Sequence, residues 1–217
     1  MSIGLRLVNA LTGLILLAVV IFAEGGWRAV AAKPAIVAFL LVSLALFVAA
    51  NFTEGNLSRG EREARDNRWV IAAFSVLGLA GIAVSLGFDR ANILTLDGSA
   101  ARWLGVALYT IGGVLRLAPV FVLGRRFSGL VAIQPGHRLV TDGLYARIRN
   151  PSYLGLLINS AGLALTFRSL PGLALAALQL WPLIARMDAE ERLLEENFGE
   201  AYRAYMARTA RLIPGIY

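Results

Sequence analysis

Four long apolar stretches dominate the first half of the chain and restrict what it can fold into. They cover residues 5–23, 34–52, 69–88 and 103–123. Each has the roughly 20 apolar residues that a helix needs to cross a ~30 Å hydrocarbon core, and in lipid only helices or closed barrels satisfy their own backbone polar groups. The stretches therefore predict an all-α, polytopic integral membrane protein.

The first stretch is interpreted as a retained helix. A secretory signal combines a charged start, a short apolar region and a cleavage site of small residues. Here the only basic flanking residue is Arg6, and Phe22-Ala23-Glu24 makes a poor cleavage site. We therefore count this stretch as the first membrane span.

The composition supports a membrane protein and excludes several kinds of site. Hydrophobic residues make up 58% of the chain, against about 45–50% in soluble domains. The net charge of +7 comes from 20 arginines and one lysine, and membrane topology explains them better than nucleic-acid binding because they lie between apolar stretches. The chain has no cysteine and one histidine, which excludes disulfides and a Cys- or His-rich metal site. Neither nucleic acid nor a metal is expected as a partner.

The pattern changes after the fourth stretch. A polar loop over residues 124–150 precedes two shorter apolar stretches, residues 151–167 and 171–184. Stretches this short are marginal as independent spans. They predict a tight helical hairpin, whose second arm continues into a polar helix beyond Arg186.

Loop charges predict the orientation of these six membrane-crossing segments. Of the 21 lysine and arginine residues, 15 lie on the side that holds both termini and the polar loop, and five on the opposite side. The positive-inside rule then places both termini and the polar segments in the cytoplasm, at the inner membrane if the cell is prokaryotic. We divide the chain into a four-helix scaffold, residues 1–123, and a site-bearing unit, residues 124–217.

Arg116 lies inside the fourth predicted span, about two helical turns from its cytoplasmic end. Its side chain either snorkels outward to the interface or faces the bundle and meets an acidic group of a ligand. The sequence leaves both interpretations open.

Residues 137–155 form the first of two polar segments that carry potential chemistry. Asn150 followed by Pro151 is typical of an ordinary helix start, with Asn as N-cap and Pro in the first turn. The same helix start offers free N–H groups to an anion or a ribose hydroxyl. His137 is either a surface or capping residue or a functional one. Tyr145 and Tyr153 suit either the membrane interface or stacking on a purine.

The last helix is the second polar segment. Spacings of seven, four, four and three predict one apolar stripe along it, formed by Met187, Leu194, Phe198, Tyr202 and Tyr205. Arg186 and Glu190 are four residues apart and share a face. They form either a solvated ion pair or, because they lie where the helix leaves the bilayer, a functional pair.

Together the two segments resemble the isoprenylcysteine carboxyl methyltransferase family and the wider group that includes phospholipid N-methyltransferases. The family pattern runs H-x-L-V-x-x-G-x-Y-x-x-x-R-H-P-x-Y-x-G, then E-E-x-x-L-x-x-x-F-G-x-x-Y-x-x-Y. The matching residues are His137, Leu139, Val140, Gly143, Tyr145, Arg149, Pro151, Tyr153, Gly155, Glu190, Glu191, Leu194, Phe198, Gly199, Tyr202 and Tyr205. Asn150 replaces the histidine of R-H-P, which weakens the case for a prenylcysteine acceptor. Since both side chains donate hydrogen bonds, cofactor binding is expected to survive.

The resemblance implies S-adenosylmethionine as the cofactor. The residues that it implies for cofactor binding are His137, Arg138, Leu139, Val140, Gly143, Tyr145, Arg149, Asn150, Pro151, Ser152, Tyr153 and Glu190. It also implies catalytic roles for Arg186 and Glu190, with Arg186 facing the methyl acceptor, and Arg116 is a further candidate for acceptor binding. The expected acceptor is a lipophilic small molecule or lipid from the membrane, methylated on a carboxylate oxygen. No oligomeric state is predicted.

Three alternatives remain open. One is an amine acceptor, which must first lose a proton. Another is a membrane reductase similar to the sterol reductases, which use NADPH and share the C-terminal layout. The last is a non-catalytic protein such as a small transporter, against which the retained Arg186 and Glu190 argue.

Overall fold

A computed structural model describes residues 3–53, 62–63, 67–124, 131–133, 136 and 138–217. The helices are α1 (Ile3–Ala23), α2 (Trp27–Ala31), α3 (Pro34–Asn51), α4 (Trp69–Ala91), α5 (Ser99–Leu123), α6 (Pro151–Thr166), α7 (Leu170–Leu178), α8 (Leu180–Phe198) and α9 (Glu200–Ala207). A 3₁₀ turn covers Gly143–Ala146, and two short strands, β1 (Arg62–Glu63) and β2 (Ala132–Ile133), pair antiparallel. The prediction for His137 lies outside the described residues.

Five helical segments of the described chain are long and apolar enough to cross a membrane. They are Arg6–Ala23, Pro34–Asn51, Trp69–Ala91, Ser99–Leu123 and Leu170–Phe198. This confirms the predicted all-α membrane architecture. The remaining predicted segment is α6, which is shorter than a typical span because its 16 residues extend about 24 Å against a core of ~30 Å.

α5 and α6 run antiparallel with their backbones in contact. Glycines seven residues apart on each helix face the partner, Gly105 and Gly112 on α5 and Gly155 and Gly162 on α6. A methyl group added at any of them would lie 2.2–2.5 Å from a backbone atom of the other helix. Small residues permit such close approach between membrane helices. This glycine contact, as we call it, holds the first turn of α6 against Arg116.

The core of the N-terminal half packs around Phe39 of α3. Its ring centroid lies 4.6 Å from that of Tyr109 on α5 and 5.4 Å from that of Phe167, just after α6. Ser43 donates a hydrogen bond to the Tyr109 hydroxyl at 3.3 Å, as expected of buried polar groups. These contacts fix α3 to α5 and to the end of α6.

At the end of the bundle where α6 finishes, Asp89 of α4 pairs with two arginines. Arg102 of α5 donates to both carboxylate oxygens, at 2.8 and 3.0 Å, and Arg168 donates to Oδ1 at 2.8 Å. Further donors of the two arginines reach the Thr166 carbonyl at 2.9 Å and Asn92 Oδ1 at 3.1 Å. We call Asp89, Arg102 and Arg168 the far-end clamp, because they join α4, α5 and the turn between α6 and α7.

The prediction of one continuous last helix is wrong. Gly199, with φ 54°, separates α8 from α9. Glycine adopts this left-handed conformation without steric cost, so the chain changes direction there. Tyr202 and Tyr205 of the predicted stripe are nonetheless buried, at 1% and 3% exposure, because α9 packs beside residues 145–149.

Candidate active site

The first turn of α6 and the middle of α8 meet around the hydroxyl group of Tyr153. This hydroxyl donates to Glu190 Oε2 at 2.5 Å and accepts from Arg186 Nε at 2.6 Å. The guanidinium carbon of Arg186 also lies 5.8 Å from the centroid of the Tyr153 ring. Arg186 is only 8% exposed. Arg186 and Glu190 therefore face the same side of α8, as their four-residue spacing predicts.

Arg116 reaches this arrangement from α5. Its Nη1 donates to Ser152 Oγ at 2.9 Å, and the Ser152 hydroxyl donates back to the Arg116 carbonyl at 3.3 Å. Arg116 thus faces the bundle rather than snorkelling outward, within electrostatic range of Tyr153, Arg186 and Glu190. We call Arg116, Tyr153, Arg186 and Glu190 the inner cluster. Its two guanidinium groups and one carboxylate leave one net positive charge.

Beside the inner cluster, Glu191 pairs with two arginines from other segments. Arg149 Nε lies 3.0 Å from Glu191 Oε1, and Arg211 Nη2 lies 3.2 Å from Oε2. Arg211 also pairs with Asp188 at 2.5 Å. We call these four residues, with Asn150, the outer network. Its two cations and two carboxylates cancel, so the outer network is neutral while the inner cluster is not.

Asn150 takes part in the outer network through its side chain. Its amide nitrogen donates to Glu191 Oε1 at 3.4 Å and to the Arg211 carbonyl at 3.3 Å. Asn150 is the N-cap residue of α6, as predicted, but its side chain accepts no hydrogen bond from the described N–H groups at the start of the helix. The two bonds that its amide nitrogen donates orient the side chain toward the outer network. Pro151 does occupy the first helical turn, as predicted.

The C-terminal segment completes the outer network, and the sequence analysis missed it. Ala210 donates to the Arg147 carbonyl and accepts from the Arg149 backbone N–H, both at 2.9 Å, in a short parallel bridge. Arg149 Nη1 also donates to the carbonyls of Met206, at 3.0 Å, and Thr209. These partners are 57 and 60 positions apart in the chain, so no local periodicity could have predicted the contacts.

Three further tyrosines, Tyr145, Tyr202 and Tyr205, lie near Glu190 or Glu191. Tyr205 donates to the Tyr145 carbonyl at 2.7 Å. Burial raises the pKa of Tyr205 to about 12, although the nearby Arg149 acts to lower it. Burial also raises the pKa values of Tyr145 and Tyr202, and the negative charge of Glu190 raises them further. All three are therefore neutral phenols near neutral pH. Tyr202 and Tyr205 are buried by packing, whereas the half-buried ring of Tyr145 is accessible to a ligand.

The predicted cofactor loop, residues 138–143, makes fewer contacts with the inner cluster than α6 and α8 do. Gly143, with φ 57°, begins the 3₁₀ turn that carries Tyr145. Arg138 is exposed, and Leu139 and Val140 are half-buried. Within the described part of the chain, no hydrogen bond or ion pair joins these three residues to the inner cluster. Their role in cofactor binding stays a prediction.

Comparison with known proteins finds a matching family. The profile of the isoprenylcysteine carboxyl methyltransferase (ICMT) family matches residues 104–196, which contain the whole inner cluster. Protein-S-isoprenylcysteine O-methyltransferase B of Arabidopsis thaliana is 31% identical over 131 residues, or 57% of this chain and 66% of that protein. Residues 104–196 of this chain are thus similar to the ICMT family.

Other relatives match a smaller share of their own length. Protein-S-isoprenylcysteine O-methyltransferase of Schizosaccharomyces pombe is 35% identical over 107 residues, or 48% of this chain and 45% of its own. The human protein of that name is 32% identical over 64% of this chain and 51% of its own. The chain thus spans less than two thirds of these relatives' length. A solved structure of a eukaryotic intramembrane Ras methyltransferase, ICMT, aligns with 100% of this chain and 88% of its own at 20% identity, but the TM-score of 0.49 is too low to support a further conclusion.

Proposed function

We propose that this protein transfers a methyl group from S-adenosylmethionine to a carboxylate of a lipophilic acceptor. The inner cluster is the observation that carries the proposal, because it brings the guanidinium groups of Arg116 and Arg186 to the Tyr153 and Glu190 side chains within a helix bundle. A guanidinium group binds a carboxylate through charge-assisted hydrogen bonds and repels a cation. An anionic acceptor group therefore fits the cluster better than a cationic amine, and the similarity to the ICMT family supports methyl transfer as the reaction.

The residues around Glu190 offer the chemical groups that S-adenosylmethionine binding requires. Glu190, half-buried and held by the Tyr153 hydroxyl, suits a positively charged ammonium or sulfonium group. Tyr145, a neutral ring near Glu190, suits contact with a purine. The first turn of α6 suits a carboxylate or ribose hydroxyl. When bound, S-adenosylmethionine supplies an electrophilic methyl group on a positively charged sulfur.

Arg186 holds the acceptor carboxylate in this proposal. Its planar guanidinium group can bind both carboxylate oxygens with parallel hydrogen bonds. Arg116, anchored on Ser152, adds a second positive charge from the neighbouring helix. Because a carboxyl group is already ionised near neutral pH, the chain needs no general base.

Catalysis then depends on position. The inner cluster would hold one oxygen of the acceptor carboxylate toward the cofactor's methyl group, and the chain's own residues would not need to move a proton. Orientation of this kind can lower a barrier by ~7–11 kcal/mol. The apolar helices around the cluster limit the access of water, which strengthens the attraction between Arg186 and the carboxylate.

We propose that both termini and the site end of the bundle face the cytoplasm, where a water-soluble cofactor reaches them. The excess of arginines on this side supports the orientation. Since the chain has no cysteine, single cysteines can report it. Arg203→Cys on α9, an exposed position, should react with an impermeant maleimide only from the cytoplasmic side. Asp97→Cys, exposed between α4 and α5, should react only from the other side, and labelling of both from one side would contradict the orientation.

Protein in nanodiscs with methyl-labelled S-adenosylmethionine tests the reaction. We expect label in a lipophilic carboxylic acid, such as an S-prenylated cysteine or a fatty acid, and none in phosphatidylethanolamine. Glu190→Gln should abolish binding of S-adenosylhomocysteine. Glu196→Gln, an exposed glutamate of the same helix, should leave it intact. Equal binding by both variants would remove Glu190 from the proposed cofactor site.

An amine acceptor is the second candidate, and one contact favours it. The Tyr153 hydroxyl lies 2.5 Å from Glu190, and this pair offers a path for the proton that an amine must lose. Label in phosphatidylethanolamine but not in the acids would establish N-methylation. Thermal stabilisation by NADPH but not by S-adenosylhomocysteine would instead indicate a reductase.

A further inference from the structure

A cavity of about 180 Å³ lies among α1, α4, α5, α6 and α7. Asn159 on its wall is six residues from Tyr153 on α6, about 9 Å along the helix axis, so the cavity is separate from the inner cluster. The described residues that line it carry no charge. An engineered protein cavity of ~150 Å³ accommodates benzene. This cavity therefore has room for the end of a small organic molecule.

Ser85 of α4 lines this cavity with an unpaired hydroxyl group. The residue is 0% exposed, and its Oγ has no hydrogen-bond partner among the described residues. By contrast, Ser75, Thr110 and Thr166 each donate to the carbonyl four residues earlier in their helix, which is a common arrangement. A buried unpaired hydroxyl is unfavourable, most of all at membrane depth. The position of Ser85 therefore points to a ligand group in the cavity.

Two amide side chains add to the polar lining. Gln179 is 3% exposed, and its Oε1 accepts from Ser160 at 3.1 Å, so its N–H groups can serve a ligand. Asn159 donates to the Tyr109 carbonyl at 2.8 Å, so its side-chain oxygen can accept. The cavity thus combines donors and acceptors without a charged group.

We propose that this cavity binds the uncharged hydroxyl end of a lipid alcohol that enters from the bilayer. A hydroxyl group both donates and accepts, which matches the mixed hydrogen-bonding groups of Ser85, Gln179 and Asn159. A charged head group would lack a counter-ion there, and a plain hydrocarbon would leave the Ser85 hydroxyl unpaired. The site is distinct from the proposed methyl-transfer site and does not depend on it.

The α4 wall allows the cavity to be filled without disturbing the fold. A methyl group added at Gly81 meets nothing within 4 Å, and Gly81 lines the cavity. Gly81→Leu should therefore occupy the space that the ligand needs. Gly87→Leu is the matched control, because Gly87 is on the same helix, also meets nothing within 4 Å and is not part of the lining.

A long-chain alcohol with a diazirine near its hydroxyl group tests the proposal on the full chain in nanodiscs. We expect light-induced crosslinking to cavity residues in the wild type and in Gly87→Leu, loss of crosslinking in Gly81→Leu and weaker crosslinking in Ser85→Ala. Thermal unfolding followed by far-UV circular dichroism, measured for each variant, reports whether the fold is intact. If Gly81→Leu fails this check, the comparison of Ser85→Ala with Ser75→Ala decides, and only Ser85→Ala should weaken the crosslinking.

Two results would overturn the proposal. Equal crosslinking of the wild type, Gly81→Leu and Ser85→Ala would show that the alcohol binds elsewhere. Equal crosslinking by a diazirine-bearing alkane of the same length would show that the cavity does not recognise a hydroxyl group.

Discussion

The far-end clamp and the inner cluster contain the same charged groups, two arginines and one acid, at opposite ends of α6. In the clamp, the carboxylate of Asp89, 5% exposed, accepts directly from both arginines. In the inner cluster, the hydroxyl group of Tyr153 lies between Arg186 and Glu190. Similar composition has thus produced two different arrangements.

The difference shows how one set of residues serves structure and another suits a ligand. The clamp arginines enclose one carboxylate and place further donors on oxygens of Thr166 and Asn92, so little capacity is left for another anion. A hydroxyl group can exchange donor and acceptor partners, so the contacts of Tyr153 can rearrange around a bound molecule. We expect stability to depend mainly on the clamp and activity mainly on the inner cluster.

Asp89→Ala should cause the largest loss of stability. It leaves Arg102 and Arg168 without their buried carboxylate, which typically costs about 3–5 kcal/mol. The free energy of unfolding in micelles, from denaturant titration, measures the effect. Asp97→Ala, exposed in the neighbouring loop, is the control and should change it by less than about 0.5 kcal/mol. Equal effects of the two substitutions would mean that the clamp does not stabilise the bundle.

Arg186→Lys should show most clearly that the inner cluster affects activity more than stability. Lysine is a point charge that cannot bind a carboxylate through two parallel hydrogen bonds, so we expect kcat/KM for the acceptor to fall about 100-fold, or about 2.7 kcal/mol. The free energy of unfolding should change by less than about 1 kcal/mol. Arg192→Lys on the exposed face of α8 should leave both quantities unchanged. A loss of stability as large as that of Asp89→Ala would show that the inner cluster is also a structural clamp.

Alanine at the glycine contact should distinguish the two ends of α6. Gly155→Ala and Gly162→Ala should each destabilise the fold by about 1–3 kcal/mol through overpacking. Only Gly155→Ala should also lower the specific activity of the folded fraction, because Gly155 packs on the backbone of Arg116. Gly87→Ala, in open space, is the control for both assays. Equal loss of specific activity from both ends would argue against a site confined to one end.

Tyr205→Phe should have the smallest effect. It removes the hydrogen bond to the Tyr145 carbonyl, worth about 0.5–1.5 kcal/mol. Because the folded-state pKa of Tyr205 is raised to about 12 from the usual ~10, the stabilising effect should be complete below pH 10 and disappear as the pH rises through 12. Unfolding free energies of both proteins between pH 9 and 12 measure this. A difference in unfolding free energy between the two proteins that stays constant over that pH range would contradict the raised pKa of Tyr205.

Local sequence patterns predicted the extents of helices and the residues that share one helix face. Apolar length predicted α4 and α5 closely, and the spacing of Arg186 and Glu190 predicted their shared face. The role of Tyr153 between them required the packing of α6 on α8, which no spacing in the chain encodes. Arg211 gave no signal at all, since its partners come from a different segment.

The glycine contact is an intermediate case. Its seven-residue spacing on both helices is a signal for close helix packing, but the sequence analysis did not use it. The contact also explains why Arg116 belongs to the site although it lies in the predicted scaffold, since it places α5 against the first turn of α6.

The close approach of α5 and α6 also determines how a substrate can arrive. Two backbones that touch leave no gap for a hydrocarbon tail, so lateral entry from the bilayer between these helices is blocked. Under the proposed function, a lipid tail would therefore reach Arg186 by a route that does not cross the glycine contact.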